Sequence, residues 1–270
     1  MIDVRLADPD DVAGIRAVSR ATGQPEIDSG ADPRYVRALL EQGRVLVAAC
    51  DDRICGWGAV RAGALGELLT DLFVAPENQG AGIGRTLLAR LWPVAEAGGR
   101  LTFSSRHPHA QPLYLRSGLQ PRWPLLYLAG RPGRLPAPQA RARSVEAGQA
   151  AEAEHALVGA SRGADYRYWS EGLGAQALVV EADGRLIAAG ARLPGRLIHL
   201  GCAADASATD ALFAALRTVP GTRATVCLPG PHPAVRTMLG AGWRAEDYDL
   251  AMTTADVTLP VTWAYSPALG

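Results

Sequence analysis

Three glycines at alternate positions, Gly80, Gly82 and Gly84, separate a run that reads as a strand from one that repeats as a helix, and this stretch constrains the chain most. It reads Asp71-Leu-Phe-Val-Ala-Pro-Glu-Asn-Gln79-Gly-Ala-Gly-Ile-Gly84-Arg-Thr-Leu-Leu. Lacking Cβ atoms, the glycines let backbone approach a ligand closely, and the N–H groups that open a helix point at one spot. An anion such as a diphosphate suits that spot. Arg85 adds a charge-assisted contact and Gln79 a neutral donor. Such a turn alone also occurs in dinucleotide and nucleotide binders, or as a packing device. Here it lacks the Lys-Ser/Thr of a nucleotide P-loop, and it follows an antiparallel run instead of the first strand of a βαβ unit.

The surrounding pattern supplies that run. Ile2 to Leu6 reads as a strand, and Asp8 to Ala21 as a helix with Val12, Ile15 and Val18 at helical spacing. Pro33 to Gln42 reads as a second helix closed by Gly43. Strands Val45 to Cys50 and Ile54 to Arg61 flank Asp51-Asp52-Arg53, and Leu65 to Val74 continues them. A helix from Thr86 to Ala97, a strand from Leu101 to Ser104, a helix from Ala110 to Arg116 and a strand from Leu125 to Leu128 complete the order. That is an α+β domain, expected over residues 1–130. Residues 131–143, RPGRLPAPQARAR, read as a linker, and 144–270 as a second domain, in keeping with a chain of 270 residues.

The second half repeats the first faintly. Leu46-Val47, Asp51, Arg53, Gly58 and Ala59 align with Leu178-Val179, Asp183, Arg185, Gly190 and Ala191. Leu72 and Ala75 then meet Leu200 and Ala203, and Ala110 and Gly118 meet Ala234 and Gly242. The offset shrinks steadily, as shorter loops in the second copy would require.

Gln79-Gly-Ala-Gly82-Ile-Gly84 resembles the Q/R-x-x-G-x-G/A coenzyme A signature of the GNAT superfamily, and Ala110-Gln-Pro-Leu-Tyr114-Leu-Arg-Ser-Gly118 resembles its later helix. The resemblance implies two GNAT-like domains, each a mixed, mostly antiparallel splayed sheet flanked by helices. It implies acetyl-CoA, or a close acyl-CoA relative, as cosubstrate, held by Gln79, Gly80, Ala81, Gly82, Ile83, Gly84, Arg85 and Thr86. Backbone groups of Leu72, Phe73 and Val74 would meet the pantetheine arm. Ser104, Ser105 and His107 occupy the stretch that brings a polar residue to the cleft, Ser105 being chosen as a cofactor contact.

The activity implied is that of an acetyltransferase, a transferase acting by direct attack of an amine in a ternary complex, without metal or covalent enzyme intermediate. Tyr114 would protonate the leaving thiolate; the other reading is a packed tyrosine. Asp71 is the first candidate base and Glu67 the second, each open to a purely structural pairing; His107 and His109 follow. The segment from Ala21 to Tyr35, with Gln24, Glu26, Asp28 and Asp32, would face the acceptor, a small amine or peptide, or be a solvated acidic loop. The alternative function is a non-catalytic acyl-CoA-binding sensor or interaction module.

The second copy looks degenerate. Its loop reads Cys202-Ala-Ala-Asp205-Ala-Ser-Ala-Thr-Asp210, with no glycine and two carboxylates, and Met238 stands where Tyr114 does. A covering or dimer surface is its expected work, which leaves room for a homodimer. Tyr166 and Trp169 read as helical packing or as pocket lining, and Arg122-Trp123-Pro124 as a bend. With 27 Lys plus Arg against 27 Asp plus Glu, no charge excess favours nucleic acid or an anionic membrane. No apolar run nears the ~20 residues of a membrane helix and no signal peptide opens the chain, so a cytoplasmic protein is expected. Cys50, Cys55, Cys202 and Cys227 form no metal-binding spacing and are all read as reduced core thiols.

Overall fold

The computed structural model describes residues 2–23, 34–51, 53–93, 98–203 and 207–268. Contacts divide the chain into two compact units, one of Met1–Ala62 with Gly66–Thr102, the other of Gly63–Leu65 with Phe103–Gly270.

The first unit holds β1 (Ile2–Leu6), α1 (Val12–Ala21), α2 (Arg34–Gln42), β2 (Gly43–Cys50), β3 (Arg53–Gly63), β4 (Gly66–Val74), α3 (Ile83–Leu91) and the start of β5 (Arg100–Ser104). Its strands lie in the order β1-β2-β3-β4-β5. β1 and β3 run antiparallel to β2, whereas β4 and β5 are parallel. Ile15, Val18, Leu39, Val47, Trp57, Leu68, Leu87 and Leu91 are buried at 2% exposure or less and form its core. Arg5 clamps the unit's beginning by a bidentate pair with Asp11, at 2.6 and 2.7 Å. α3 starts earlier than expected, because Gly82 serves as its N-cap. It also ends earlier, just before Pro93, whose ring disfavours a helical residue in front of it.

The second unit continues with α4 (Ala110–Arg116), β6 (Gln120–Gly130), β7 (Arg141–Ser144), α5 (Ala147–Val158), α6 (Gly163–Arg167), β8 (Gln176–Ala182), β9 (Arg185–Leu193), β10 (Arg196–Cys202), α7 (Ala208–Thr218), β11 (Ala224–Pro229), α8 (Val235–Gly240) and β12 (Arg244–Thr253). The strand order there is β12-β6-β11-β10-β9-β8-β7. β6 is antiparallel to both β11 and β12. It precedes the Pro- and Arg-rich segment in sequence yet lies between two strands that follow it. The contact boundary therefore falls after Thr102 and not at Gly130. Nor is 131–143 a free tether: Pro132–Arg134 form a short 3-10 turn, Leu135 O accepts from Arg217 at 2.8 Å, and β7 already begins at Arg141.

Element order from β1 to β6 is repeated from β7 to β12, and so are local irregularities. The β2–β3 and β8–β9 hairpins turn through Asp51 and Asp183, with φ of 48° and 50°. Asp tolerates this left-handed conformation because its short side chain bonds locally. The register slips once in each hairpin, between Ala48 and Ala49 and between Val180 and Glu181. Ala75 N donates to Cys55 O at 2.9 Å, as Ala203 N does to Ile187 O at 3.1 Å. The faint sequence matches thus sit where the backbone is least replaceable.

The slip in the first hairpin corrects one expectation. Cys55 is the residue left without a register partner, and it is joined to Cys50 by a disulfide with a Cα–Cα distance of 5.9 Å. Only Cys202 and Cys227 are free thiols, both buried.

Candidate functional site

β4 delivers the chain to the glycine turn. Its parallel register with β5 covers Glu67–Leu69 against Arg100–Thr102, while β4 runs on to Val74. Ala75 N bonds to β3, and the Phe73 and Asp71 carbonyl oxygens lie beside Gly56 and Gly58 of β3. Backbone groups alternate sides along a strand, so Leu72 and Val74 present theirs to the other edge. Phe73 spends its backbone on β3 and packs its ring on Trp57, centroids 5.6 Å apart.

After Val74 the chain makes a 3-10 turn at Pro76–Asn78, and Gln79 Nε2 donates back to Val74 O at 3.1 Å. Gly80 and Gly82 both have φ of 83°, where other residues are strained. A Cβ on either would meet nothing within 4 Å, so backbone conformation and not crowding demands glycine there. Gly82 O accepts from Thr86 N at 3.0 Å and Thr86 Oγ1 at 3.3 Å, which fixes the first turn of α3. No side chain caps that turn and no carboxylate lies in it, although the first N–H groups of any helix lack intrahelical acceptors. Arg85, Ala81 and Gln79 are exposed, whereas the Ile83 side chain is buried and offers only its backbone. These donors, open space and a cation fit a diphosphate.

Asp71 lies on β4 just past the paired stretch, half-buried, and its Oδ2 accepts from Tyr35 OH of α2 at 2.6 Å. Burial pushes its carboxyl up to about 6, against hydrogen bonds from Tyr35 and Thr70 that pull it down. The native state thus holds this proton more tightly than the unfolded chain, whose Asp titrates near ~3.9, and stability falls as pH rises between those values. Asp71→Asn retains an acceptor for Tyr35 without the charge. In urea titrations the variant should be more stable than wild type by up to about 3 kcal/mol at pH 8, the difference closing as pH falls below ~4. An offset independent of pH would contradict the assignment.

Glu67 behaves differently. Its Oε1 lies 3.3 Å from Nη2 of Arg44, and its backbone N donates to Gly99 O at 2.7 Å. Four strand residues from Asp71 amount to ~13 Å, so the two carboxylates are not brought together. The acidic segment with Gln24, Glu26, Asp28 and Asp32 lies outside the described residues, and so does Asp205.

In the second unit, Tyr114 of α4 is 7% exposed, and its carbonyl accepts from Ser117 N and Leu119 N as α4 ends. Ser104 is buried and donates to Ser105 O at 3.0 Å. Ser105, His107 and His109 are exposed and form a turn in which His107 N reaches Ser105 Oγ and His109 N reaches His107 Nδ1, each at 3.4 Å.

The counterparts of the first half's residues have diverged. Met238 is fully buried. Asp210 occupies the third position of α7, as Arg85 does in α3, and accepts from Gln139 N and Ala140 N at 2.9 and 2.6 Å. Arg122 bonds to Thr253 and Thr254, and Trp123 packs against Phe103 and Tyr265. Tyr166 and Trp169 are buried at 1% beside a cluster that sequence reasoning missed. There Glu154 bonds Tyr166 OH and His199 Nε2, each at 2.8 Å, and Arg162 Nε lies 3.2 Å away. Tyr35 was missed as well, since nothing in its neighbourhood announces a partner in β4.

Residues 41–120 match the family model for the "Acetyltransferase (GNAT) domain". A mycothiol acetyltransferase of Amycolatopsis mediterranei (strain U-32) is 32% identical over 115 residues, 42% of this chain and 37% of that protein, so the match spans little more than a third of the relative. A candidate acetyltransferase of Pyrococcus horikoshii superposes with a TM-score of 0.74 and 16% identity over 100% of this chain and 96% of its own. A tandem GNAT protein from the clavulanic acid biosynthesis pathway follows at 0.63 and 14% identity, over 96% and 100%. At these identities the structural likeness is one of fold. Over residues 41–120 the chain is thus similar to the acetyltransferase (GNAT) domain, and as a whole it has the fold of the GNAT proteins.

Proposed function

We propose that the chain is an N-acyltransferase that moves an acetyl group from acetyl-CoA to a small amine or peptide acceptor by direct attack in a ternary complex. The observation that carries this reading is the uncapped start of α3, where two left-handed glycines face open space beside an exposed arginine. Gln79 to Thr86 would line the diphosphate, with the backbone N–H groups from Gly80 to Arg85 and the Arg85 guanidinium as donors, and Leu72 and Val74 would meet the pantetheine arm. Ser105 is proposed as a polar contact. As the amine nitrogen bonds to the thioester carbon, Asp71 takes its proton. The C–S bond then breaks and Tyr114 protonates the thiolate, giving an amide and free coenzyme A. Glu67 serves β4 by pairing with Arg44 instead of acting as base. The second half, with its phosphate position closed by Asp210, is proposed as a degenerate copy of the same fold without a site of its own.

The test is acetyl transfer to a panel of amines, read by release of free coenzyme A. Tyr114→Phe should lower kcat by about 100-fold or more, in the range of general acid catalysis, and leave acetyl-CoA binding within about twofold of wild type. Unchanged kcat would remove Tyr114 from the chemistry. Binding without transfer to any amine would favour the sensor reading.

A further inference from the structure

We propose that Tyr35 is a positioning residue for the base, its hydroxyl fixing the Asp71 carboxylate in the orientation from which it receives the acceptor's proton. The inference rests on the reading of Asp71 as base. Its own ground is geometric: α2 crosses β4 with one phenol, and that phenol donates to Asp71 Oδ2 at 2.6 Å. Tyr35 is itself 7% exposed and its neighbours Val36 and Leu39 are buried, so the donor sits on a packed helix face and not on a free surface. A short charge-assisted bond from a side chain with little freedom costs scarcely any ordering when the base reacts.

The second half carries the same device in altered form. His199 stands at the Asp71 position, one residue before the matched Leu200, and a tyrosine from the second helix, Tyr166, again delivers its hydroxyl, here to Glu154 at 2.8 Å. Glu154 in turn contacts His199 at 2.8 Å. The stacked ring of Trp169 and the edge of Trp263 close over His199, which is wholly buried. In the second half the tyrosine thus reaches the corresponding position only through Glu154, and that position is wholly buried where Asp71 is half-buried.

The groups that act on Asp71 are Tyr35 from α2 and the Thr70 hydroxyl from β4, which also reaches Ala59 O at 3.2 Å. Among the described residues no charged side chain of α1, α3, β3 or β5 adds to them. Removing one hydroxyl should therefore move the carboxyl's titration visibly.

The experiment follows the Asp71 carboxyl by 13C NMR in full-length protein labelled at aspartate, with Asp71→Asn to assign the signal and melting temperature read alongside. In Tyr35→Phe the carboxyl should titrate about 1 pH unit higher, because a donor that favours the charged form is gone. The acid limb of acetyl transfer should move up with it, at unchanged KM for acetyl-CoA. Should Tyr35→Phe fail to fold, 3-fluorotyrosine placed at position 35, a stronger donor, should shift both downwards. A titration that stays put in a folded variant overturns the proposal. A titration that moves while the activity limb does not removes Asp71 as the base and takes the positioning role with it.

Discussion

Replacing Glu154 by alanine is expected to destabilise the protein by about 3–5 kcal/mol, the cost of breaking a buried ionic network by removing its centre. Glu154 has no exposed surface and serves three partners: His199 at 2.8 Å, Tyr166 at 2.8 Å and Arg162 at 3.2 Å. Burial pushes its carboxyl up, yet His199, Arg162 and Tyr166 together outweigh that and hold it below the usual range. A carboxyl depressed in the fold adds stability that is present above its unfolded value of ~4.3 and lost as pH falls through the folded one. The space is as tight as the charge balance, since a Cβ on Gly201 would lie 2.5 Å from Glu154 Oε1. Alanine leaves a void and strands the hydroxyl of Tyr166 and the ring nitrogen of His199. Arg162 would keep Asp165, 3.1 Å from its Nη1, which limits the loss. Urea denaturation at pH 7 checks the figure, and a loss under about 1 kcal/mol would show that the network contributes little.

Gly82→Asp should weaken acetyl-CoA binding at least 100-fold while leaving the fold close to its wild-type stability. The two effects separate because they draw on different terms. Left-handed backbone at φ of 83° costs an aspartate about 1 kcal/mol, and a carboxylate at a helix start returns about 0.3–1 kcal/mol through the dipole and the uncapped N–H groups. For the ligand the same carboxylate occupies the donors and repels the diphosphate, and two like charges ~4 Å apart near a protein surface oppose each other by about 4 kcal/mol. In the second half the position of Arg85 is taken by Asp210, so a carboxylate stands in the first turn of α7 where the first half has a cation. Isothermal titration of the folded variant reads the outcome, and a loss under about threefold would mean that the turn does not carry the affinity.

These sites differ in how far the sequence discloses them. The glycine turn is legible because its requirements are local: left-handed backbone needs glycine, and the helix that follows shows its period in Ile83, Leu87, Leu88 and Leu91, all buried. The order of elements in the first half is legible for the same reason. Partners across long distances leave no such trace. Nothing in Gln120–Gly130 says that it will pair with β11 and β12, because alternation records which face is buried and not which strand lies alongside. The Cys50–Cys55 bond depends on a one-residue slip in a hairpin, invisible in the pattern of either strand. Tyr35 and Asp71 stand 36 residues apart, and the Glu154 cluster gathers side chains from α5, α6 and β10 that each look ordinary alone. The matched Leu72 and Leu200 do point to position 199, so the repeat alone sets Asp71 against His199.

The proposed function requires one acyl-CoA site per chain, built by the first half and closed in the second. Calorimetric titration of the wild-type protein with acetyl-CoA tests it most directly. One binding event per chain, abolished by Gly82→Asp, is expected. Two events per chain, or one that survives Gly82→Asp, would contradict it by showing that the second half still binds or that the glycine turn is a packing device.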